Sequence, residues 1–185
     1  MSVLSEATWT APRPDCPHPE WWHAADDDST EIEVSELIAG FVRALQPEIV
    51  VETGTAWGQT AELIGRALRS NGHGRLYTTE TNVERVVFAT GRCAGLPVTV
   101  LNQESLSFTP PGPVGLAFFD SYIPIRVQEA LALRPWLESG ALLGFHDCGP
   151  QHGYRDEVEA LADDGWLRMI YLPTPRGVMF AEVIA

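Results

Sequence analysis

Short apolar runs alternate with segments of helical periodicity through most of this 185-residue chain. This alternation is typical of parallel strands joined by crossover helices. The predicted strands are 49–53, 75–80, 98–102, 114–120 and 141–147. The predicted helices between and after them are 59–69, 83–93, 125–137 and 154–162. The pattern therefore predicts an α/β fold of the Rossmann-like, doubly wound type, with helices on both faces of a mostly parallel sheet.

Residues 1–29 differ from the rest of the chain, because they are rich in proline, tryptophan and histidine. Such a composition indicates an irregular N-terminal arm rather than a packed element. The rings of Trp9, Trp21 and Trp22 are expected to pack on the domain or on a partner, or else to help cover a ligand.

The remaining domain, 30–185, begins and ends with recognisable patterns. Thr30 and Glu33 form a capping box that predicts the start of an amphipathic helix. Near the C-terminus, the apolar runs 166–172 and 178–184 are separated by a short connection rich in proline and glycine, which predicts an antiparallel hairpin. With this hairpin the predicted sheet has seven strands.

All twelve basic residues are arginine, against 25 acidic residues, and the formal charge is -13. The absence of lysine excludes a Walker-type phosphate loop, Schiff-base chemistry and a lysine general base. The acidic balance argues against nucleic acid or an anionic membrane as a partner, so a small-molecule substrate is expected, and a homodimer is compatible with this composition. With no leader pattern and no run of membrane length, we expect a cytoplasmic protein.

The turn after the first predicted strand reads Glu52-Thr53-Gly54-Thr55-Ala56-Trp57-Gly58-Gln59-Thr60. Glycines let a backbone approach a ligand closely, and a helix that begins here offers free amides to a carboxylate. The same glycines are also common where a tight turn needs them for geometry alone. The GxxxG spacing differs from the GxGxxG of dinucleotide sites.

Each of the other predicted parallel strands also ends on polar or ionisable groups. The second strand ends at Glu80, where an acidic side chain can accept the hydroxyls of a ribose, although a solvated glutamate is the alternative. The third ends in Asn102-Gln103-Glu104-Ser105, the fourth in Asp120-Ser121-Tyr122 and the fifth in His146-Asp147. Because carboxyl ends of parallel strands meet at one edge, these groups predict a ligand site there.

From Glu31 to about Gly149 the chain resembles class I S-adenosylmethionine-dependent methyltransferases, and more narrowly the small catechol and caffeoyl-CoA-type O-methyltransferases and related bacterial natural-product enzymes. The ExGxxxGxS/T loop of that family is matched by Glu52, Gly54, Gly58 and Thr60. The later family motifs are matched by Glu80 with Asn82, Glu104 with Ser105, Asp120 with Tyr122, and Asp147.

The resemblance implies a role for each matched residue. Thr60 and the amides after Gly54, including that of Thr55, would hold the methionine carboxylate of the cofactor, S-adenosylmethionine. Glu80 would bind the ribose, and Ser105 and Tyr122 the adenine. Cofactor-binding roles are also implied for Glu52, Gly58, Glu104 and Asp120. A divalent cation, Mg²⁺ in the metal-dependent members, would be held by Asp120 and Asp147.

The chain departs from the family pattern at two positions. The lysine base expected just after Tyr122 is missing, and Cys148 replaces the asparagine that supplies the third metal ligand. His146 or His152 could serve as the general base, or could favour a softer metal ion. The predicted catalytic residues are Asp120 and His146. The alternative for His146 is a hydrogen-bonded histidine at a strand end.

Three functions compete at this point. The favoured one is methyl transfer to an oxygen of a small molecule. The alternative is a non-catalytic protein of the same fold that binds the cofactor or acts in assembly or regulation, which the missing lysine and asparagine would suit. A nicotinamide-dependent oxidoreductase is disfavoured by the GxxxG spacing.

Overall fold

The computed structural model describes residues 5–6 and 11–184. A small antiparallel pair is formed by β1 (Ser5–Glu6) and β2 (His23–Ala24). The main sheet contains β3 (Ile49–Thr53), β4 (Arg75–Glu80), β5 (Val98–Asn102), β6 (Val114–Phe119), β7 (Leu137–His146), β8 (Leu167–Leu172) and β9 (Val178–Val183). The strand order of the main sheet is β5-β4-β3-β6-β7-β9-β8.

The main sheet is mixed, as the sequence predicts. The strands β3 to β7 pair in parallel, whereas β9 is antiparallel to both of its neighbours, β7 and β8. The predicted fold class and C-terminal hairpin are therefore confirmed. Since the chain leaves β3 towards β4 and β5, and then returns to place β6 on the other side of β3, strand order reverses between β3 and β6. A crevice at the carboxyl ends of these strands is the expected ligand position in such sheets.

Helices cover both faces of the sheet. They are α1 (Ile32–Leu45), α2 (Gln59–Asn71), α3 (Val83–Arg92), α4 (Arg126–Leu133) and α5 (Arg155–Ala160). Alternate side chains of the central strands enter two separate cores. Val50 packs in the cluster that includes residues of α1 and α2, while its neighbour Val51 packs in the cluster that includes residues of α4 and α5. Strands buried on both faces explain the continuous apolar runs in the sequence.

Two elements differ from their predicted bounds around the site. The helix predicted over 125–137 is an α-helix only over Arg126–Leu133, because Pro135 cannot continue it, and a 3-10 turn follows. The strand predicted over 141–147 begins earlier, at Leu137, and ends at His146. Asp147 lies outside the strand because its φ is +60°, in the left-handed region.

The start of α1 is also organised differently from the prediction. The predicted capping box is wrong, since no side chain caps this helix and its N-cap residue is Glu31. The Thr30 hydroxyl donates to Asp120 Oδ2 at 2.5 Å instead. Glu33 accepts hydrogen bonds from the backbone and ring of His23. Both capping candidates are therefore engaged by long-range contacts that no local pattern reports.

The arm is attached to the domain along much of the part that the structure describes. Arg13 donates to the carbonyl oxygens of Thr174 and Pro175, and Cys16 is buried. Of its predicted anchoring rings, Trp21 stays exposed and stacks on His18 at 4.3 Å between ring centroids, while Trp9 lies outside the described residues. No helix in residues 11–184 has the length and apolarity needed to cross a lipid bilayer.

Candidate active site

A polar cleft of about 410 Å³ opens at the carboxyl ends of β3, β4, β5 and β6. Six of the predicted site residues line it, namely Gly54, Glu80, Glu104, Ser105, Asp120 and Tyr122. The volume lies in the range of pockets that hold a small organic ligand. The structure therefore brings together groups that follow four different strands, as expected for a doubly wound sheet.

Both glycines of the loop after β3 are required by the packing of the chain. Gly54 has a φ of +83°, and a Cβ atom there would lie 2.4 Å from the carbonyl oxygen of Asp120. Gly58 has a φ of +78°, and its Cβ would lie 2.9 Å from the Cβ of Ala89 on α3. Gly54 also lines the cleft, whereas Gly58 serves the contact between the loop and α3.

The other loop residues line a small recess beside the cleft, under the segment that joins the arm to α1. Burial raises the pKa of Glu52 to about 8, and the Thr78 hydroxyl donates to its carboxyl at 2.5 Å. The hydroxyls of Thr55 and Thr78 lie 2.5 Å apart. Thr60, in the first turn of α2, is within hydrogen-bonding distance of the Ser35 hydroxyl, at 2.9 Å. Glu52, Thr55 and Thr60 thus form a recess lined with hydroxyl and carboxyl groups.

Glu80 is fixed at the end of β4 by backbone amides. Its Oε2 accepts from the amide of Ala56 at 3.0 Å, and its Oε1 accepts from those of Thr81 and Asn82, each at 2.9 Å. Asn82 in turn caps α3, because its side-chain oxygen accepts from the backbone amides of Glu84 and Arg85. Since each carboxylate oxygen can accept more than one hydrogen bond, Glu80 keeps acceptor capacity towards the cleft.

Ser105 and Tyr122, predicted at the adenine, lie on the cleft in different settings. The Ser105 hydroxyl donates to Glu129, a buried residue of α4 that also accepts from Ser121 at 2.6 Å and from Thr53 at 2.7 Å. Glu129 thus joins the end of β3 to the segments that follow β5 and β6. The side chain of Tyr122 is 73% exposed at the rim, where Glu104 is also exposed.

His146 is fully buried, and each of its ring nitrogens faces a carboxylate. Nδ1 lies 2.9 Å from Asp120 Oδ1, and Nε2 lies 2.6 Å from Glu31 Oε2. Burial alone lowers the pKa of His146, but the charges of Asp120, Asp147 and Glu31 outweigh that effect and raise it to about 10. The ring is therefore an imidazolium at neutral pH that donates through both nitrogens, and no nitrogen is free to accept a proton.

The two predicted metal ligands are each paired with arginine. Asp120 Oδ1 lies 3.2 Å from the Arg126 guanidinium, and Asp147 Oδ2 lies 3.0 Å from the same guanidinium. Asp147 Oδ1 accepts from Arg176 Nε at 2.6 Å. Burial raises the pKa of both carboxyls, but His146 and these guanidiniums hold each pKa below its usual value. Since Thr30 donates to the remaining oxygen of Asp120, all four carboxylate oxygens are engaged.

Comparison with known proteins agrees with this geometry. A sequence family described as a methyltransferase domain matches residues 51–148, which is more than half of the chain. The chain belongs to this methyltransferase family. The matched region runs from β3 to the residues after β7, so it contains the loop, Glu80, Asp120, Glu129 and His146. No curated protein matches this methyltransferase in sequence.

Solved structures share the fold of this methyltransferase at low identity. The O-methyltransferase TomG from Streptomyces achromogenes, involved in tomaymycin synthesis and solved with SAM, is 19% identical, with a TM-score of 0.73 over 97% of this chain and 94% of that one. The O-methyltransferase from Bacillus cereus, in complex with SAH, is 18% identical, with a TM-score of 0.73 over 85% and 84%. The SAH-bound methyltransferase PaMTH1 from Podospora anserina is 13% identical, with a TM-score of 0.75 over 86% and 81%.

Sequence reasoning missed four charged residues of this methyltransferase that organise the site, which are Glu31, Arg126, Glu129 and Arg176. None of them follows a strand of the parallel part of the sheet, which is where the sequence pattern predicts site residues. Arg126 and Glu129 lie at the start of α4, and the burial of their side chains is the signal that marks them. Charged side chains are almost never fully buried unless they are paired.

Proposed function

We propose that this protein transfers a methyl group from S-adenosylmethionine to an oxygen of a small molecule. The observation that carries the proposal is the polar cleft at the strand-order reversal, with Glu80 held at its edge by three backbone amides. The structural neighbours support it, because TomG and the Bacillus cereus protein are O-methyltransferases solved with SAM or SAH.

The cleft fits such a cofactor in the chemistry of its walls. Thr79, on its floor, has a buried hydroxyl without a hydrogen-bond partner, one of only three such side-chain atoms in the described part of the chain. Buried polar groups normally have a partner, so this orphan hydroxyl favours a polar ligand. When bound, S-adenosylmethionine supplies an electrophilic methyl group.

We assign the cofactor-binding roles by the position of each residue. Glu80 would accept the ribose hydroxyls, while Glu104, Ser105 and Tyr122 would surround the adenine. The recess of Glu52, Thr55 and Thr60 would take the methionine end, near the amides that follow Gly54. Glu52 is largely protonated at neutral pH because of its raised pKa, and an ammonium group beside it would favour its ionised form.

Asp120 is the predicted catalytic residue that reaches the cleft. Its lowered pKa keeps it ionised, so it is a weak proton acceptor but a strong hydrogen-bond acceptor. We propose that Asp120 orients an acceptor hydroxyl, and that His146 is a positioning residue that holds Asp120. The arrangement gives His146 no free nitrogen for the base role predicted from the sequence. The carboxylates of Asp120 and Asp147 do not fit a divalent cation, since every oxygen already has a partner.

Calorimetry with S-adenosylhomocysteine tests the cofactor assignment. Glu80→Gln keeps the size of the side chain but removes its charge and one acceptor oxygen. Hydrogen bonds to a charged group contribute about 1.5–3 kcal/mol, so we expect binding to weaken roughly 10- to 100-fold. Glu84→Gln is the matched control, because Glu84 is exposed on the next helix and should leave the affinity unchanged.

If the wild type does not bind S-adenosylhomocysteine, the proposed function is wrong. If it binds, labelled S-adenosylmethionine offered with phenols, sugars and carboxylic acids identifies the acceptor class. If amines or thiols accept the methyl group and none of these oxygen acceptors does, O-methylation is contradicted but the cofactor assignment stands. The cytoplasmic location and the homodimer stay predictions.

A further inference from the structure

Arg126 lies between the two carboxylates that the sequence suggests as metal ligands. Its side chain is 3% exposed, and its Nη2 atom lies 3.2 Å from Asp120 Oδ1 and 3.0 Å from Asp147 Oδ2. Asp120, His146 and Asp147 offer ligand atoms within 4.8 Å of one another, a spacing that by itself could hold a metal ion. The guanidinium contacts one oxygen of each carboxylate, as a cation bridging the two would.

Contacts with the backbone hold Arg126 in this position independently of the carboxylates. Its Nε donates to the carbonyl oxygen of Ser121 at 2.8 Å, and its Nη1 donates to the carbonyl oxygen of His146 at 2.7 Å. A metal ion entering this position would therefore displace four hydrogen-bonding partners of a buried guanidinium. A buried guanidinium without these partners is strongly destabilising, because no water molecule can reach it to accept its hydrogen bonds.

The carboxylates of Asp120 and Asp147 already face two guanidiniums. Arg126 contacts both carboxylates, and Arg176 Nε lies 2.6 Å from Asp147 Oδ1. A divalent cation between the carboxylates would add two positive charges beside the buried guanidinium of Arg126. Repulsion at that distance is strong in a site of low dielectric constant.

We propose that Arg126 is a built-in cation that replaces a metal ion between Asp120 and Asp147. It joins the ends of β6 and β7 and fixes the orientation of Asp120 at the cleft, and methyl transfer proceeds without a divalent cation. The last statement rests on the proposed function, whereas the replacement of the metal by Arg126 does not. Arg126 is thus a positioning residue, and the positive charge between the two carboxylates comes from the protein itself instead of a bound ion.

Binding of Mn²⁺, followed by the loss of the free-ion signal in electron paramagnetic resonance, tests the proposal without any acceptor. The wild type should show no Mn²⁺ site tighter than roughly 1 mM, the weak end of the range for protein calcium sites. Arg126→Ala removes the guanidinium and should create one Mn²⁺ site. That site should disappear in the double variant Arg126→Ala with Asp147→Asn. Arg85→Ala, which removes a cleft arginine paired with the single carboxylate of Asp28, should create none.

The wild type decides the outcome even if Arg126→Ala does not fold. Mn²⁺ binding by the wild type that is lost in Asp120→Asn would overturn the proposal, and so would a folded Arg126→Ala that binds no Mn²⁺. Calorimetry with S-adenosylhomocysteine in EDTA on the same samples separates the two proposals. Binding of S-adenosylhomocysteine in EDTA upholds the cofactor assignment whatever the Mn²⁺ result. Transfer activity that EDTA abolishes and Mg²⁺ restores would refute only the statement that methyl transfer needs no divalent cation.

Discussion

The contribution of the buried ion pair between Glu31 and His146 to the stability of the protein can be measured with one substitution. Both side chains are fully buried, and the two charged atoms lie 2.6 Å apart. Glu31 Oε1 accepts in addition from the Thr174 hydroxyl at 3.0 Å and from the Arg176 amide at 2.9 Å. Glu31→Gln keeps the shape but offers one acceptor oxygen and one amide donor. In one orientation of the side chain the new NH2 group faces His146 Nε2, and in the other it faces the backbone amide of Arg176. Both of these groups donate, so a buried donor is left without an acceptor in either case.

We expect Glu31→Gln to lower the free energy of unfolding by about 3–5 kcal/mol, the usual result of removing one partner of a buried ion pair. For a chain of this length that corresponds to a melting temperature lower by roughly 6–20 °C. Urea and thermal unfolding at pH 7, followed by circular dichroism, measure both. Glu33→Gln is the matched control, since Glu33 pairs with His23 at 2.7 Å but the two side chains are 38% and 41% exposed. Its loss should be at most about 1 kcal/mol.

The pH dependence of stability provides the second readout of this experiment. The pKa of His146 is raised from 6.5 to about 10 on folding, so its contribution is fully present below pH 6.5 and is lost as the pH rises through 10. The pKa of Glu31 is lowered from 4.5 to about 2, so its contribution is present above pH 4.5 and is lost as the pH falls through 2. Glu31→Gln should reduce the alkaline loss, because one carboxylate that raises the pKa of His146 is gone. Equal losses in Glu31→Gln and Glu33→Gln, with unchanged alkaline behaviour, would refute the reasoning.

Two further substitutions test the scaffold of the cleft. Gly54→Ala should destabilise the protein by clearly more than the roughly 1 kcal/mol of a left-handed alanine, because its Cβ would meet the Asp120 carbonyl oxygen at 2.4 Å. Gly72→Ala, with a φ of +81° and no atom within 4 Å of the new Cβ, isolates the backbone cost, and equal unfolding free energies for the two would contradict the steric argument. Glu129→Gln should lower the free energy of unfolding in urea by about 1–3 kcal/mol. Glu129 accepts hydrogen bonds from the hydroxyls of Thr53 and Ser121, and a hydroxyl that faces the new amide group loses its acceptor in a buried site. A loss below 0.5 kcal/mol, roughly the range of surface substitutions, would show that Glu129 does not hold the strand ends together.

Much of the fold follows from the sequence because the signals are local. The bounds of β3 and β4 agree with their predicted ranges, 49–53 and 75–80, since buried strands give continuous apolar runs bounded by turn residues. The side chains at the ends of these strands could be placed at one edge without knowing any distance, because parallel strands start and stop together. Departures occur where a local breaker acts, as at Pro135, or where a left-handed residue ends a strand, as at Asp147.

The sequence by itself determined the sheet, the position of the cleft and the residues at its edge, because periodicity and strand direction are properties of short segments. Only the tertiary structure decided which charges face one another. Glu31 meets His146 across 115 positions of sequence, and Arg126 reaches both Asp120 and Asp147 from the start of a helix. Protonation and metal preference depend on distances of a few ångströms between such groups. No spacing along the chain encodes those distances, so the role of His146 and the place of Arg126 could be read only from the folded molecule.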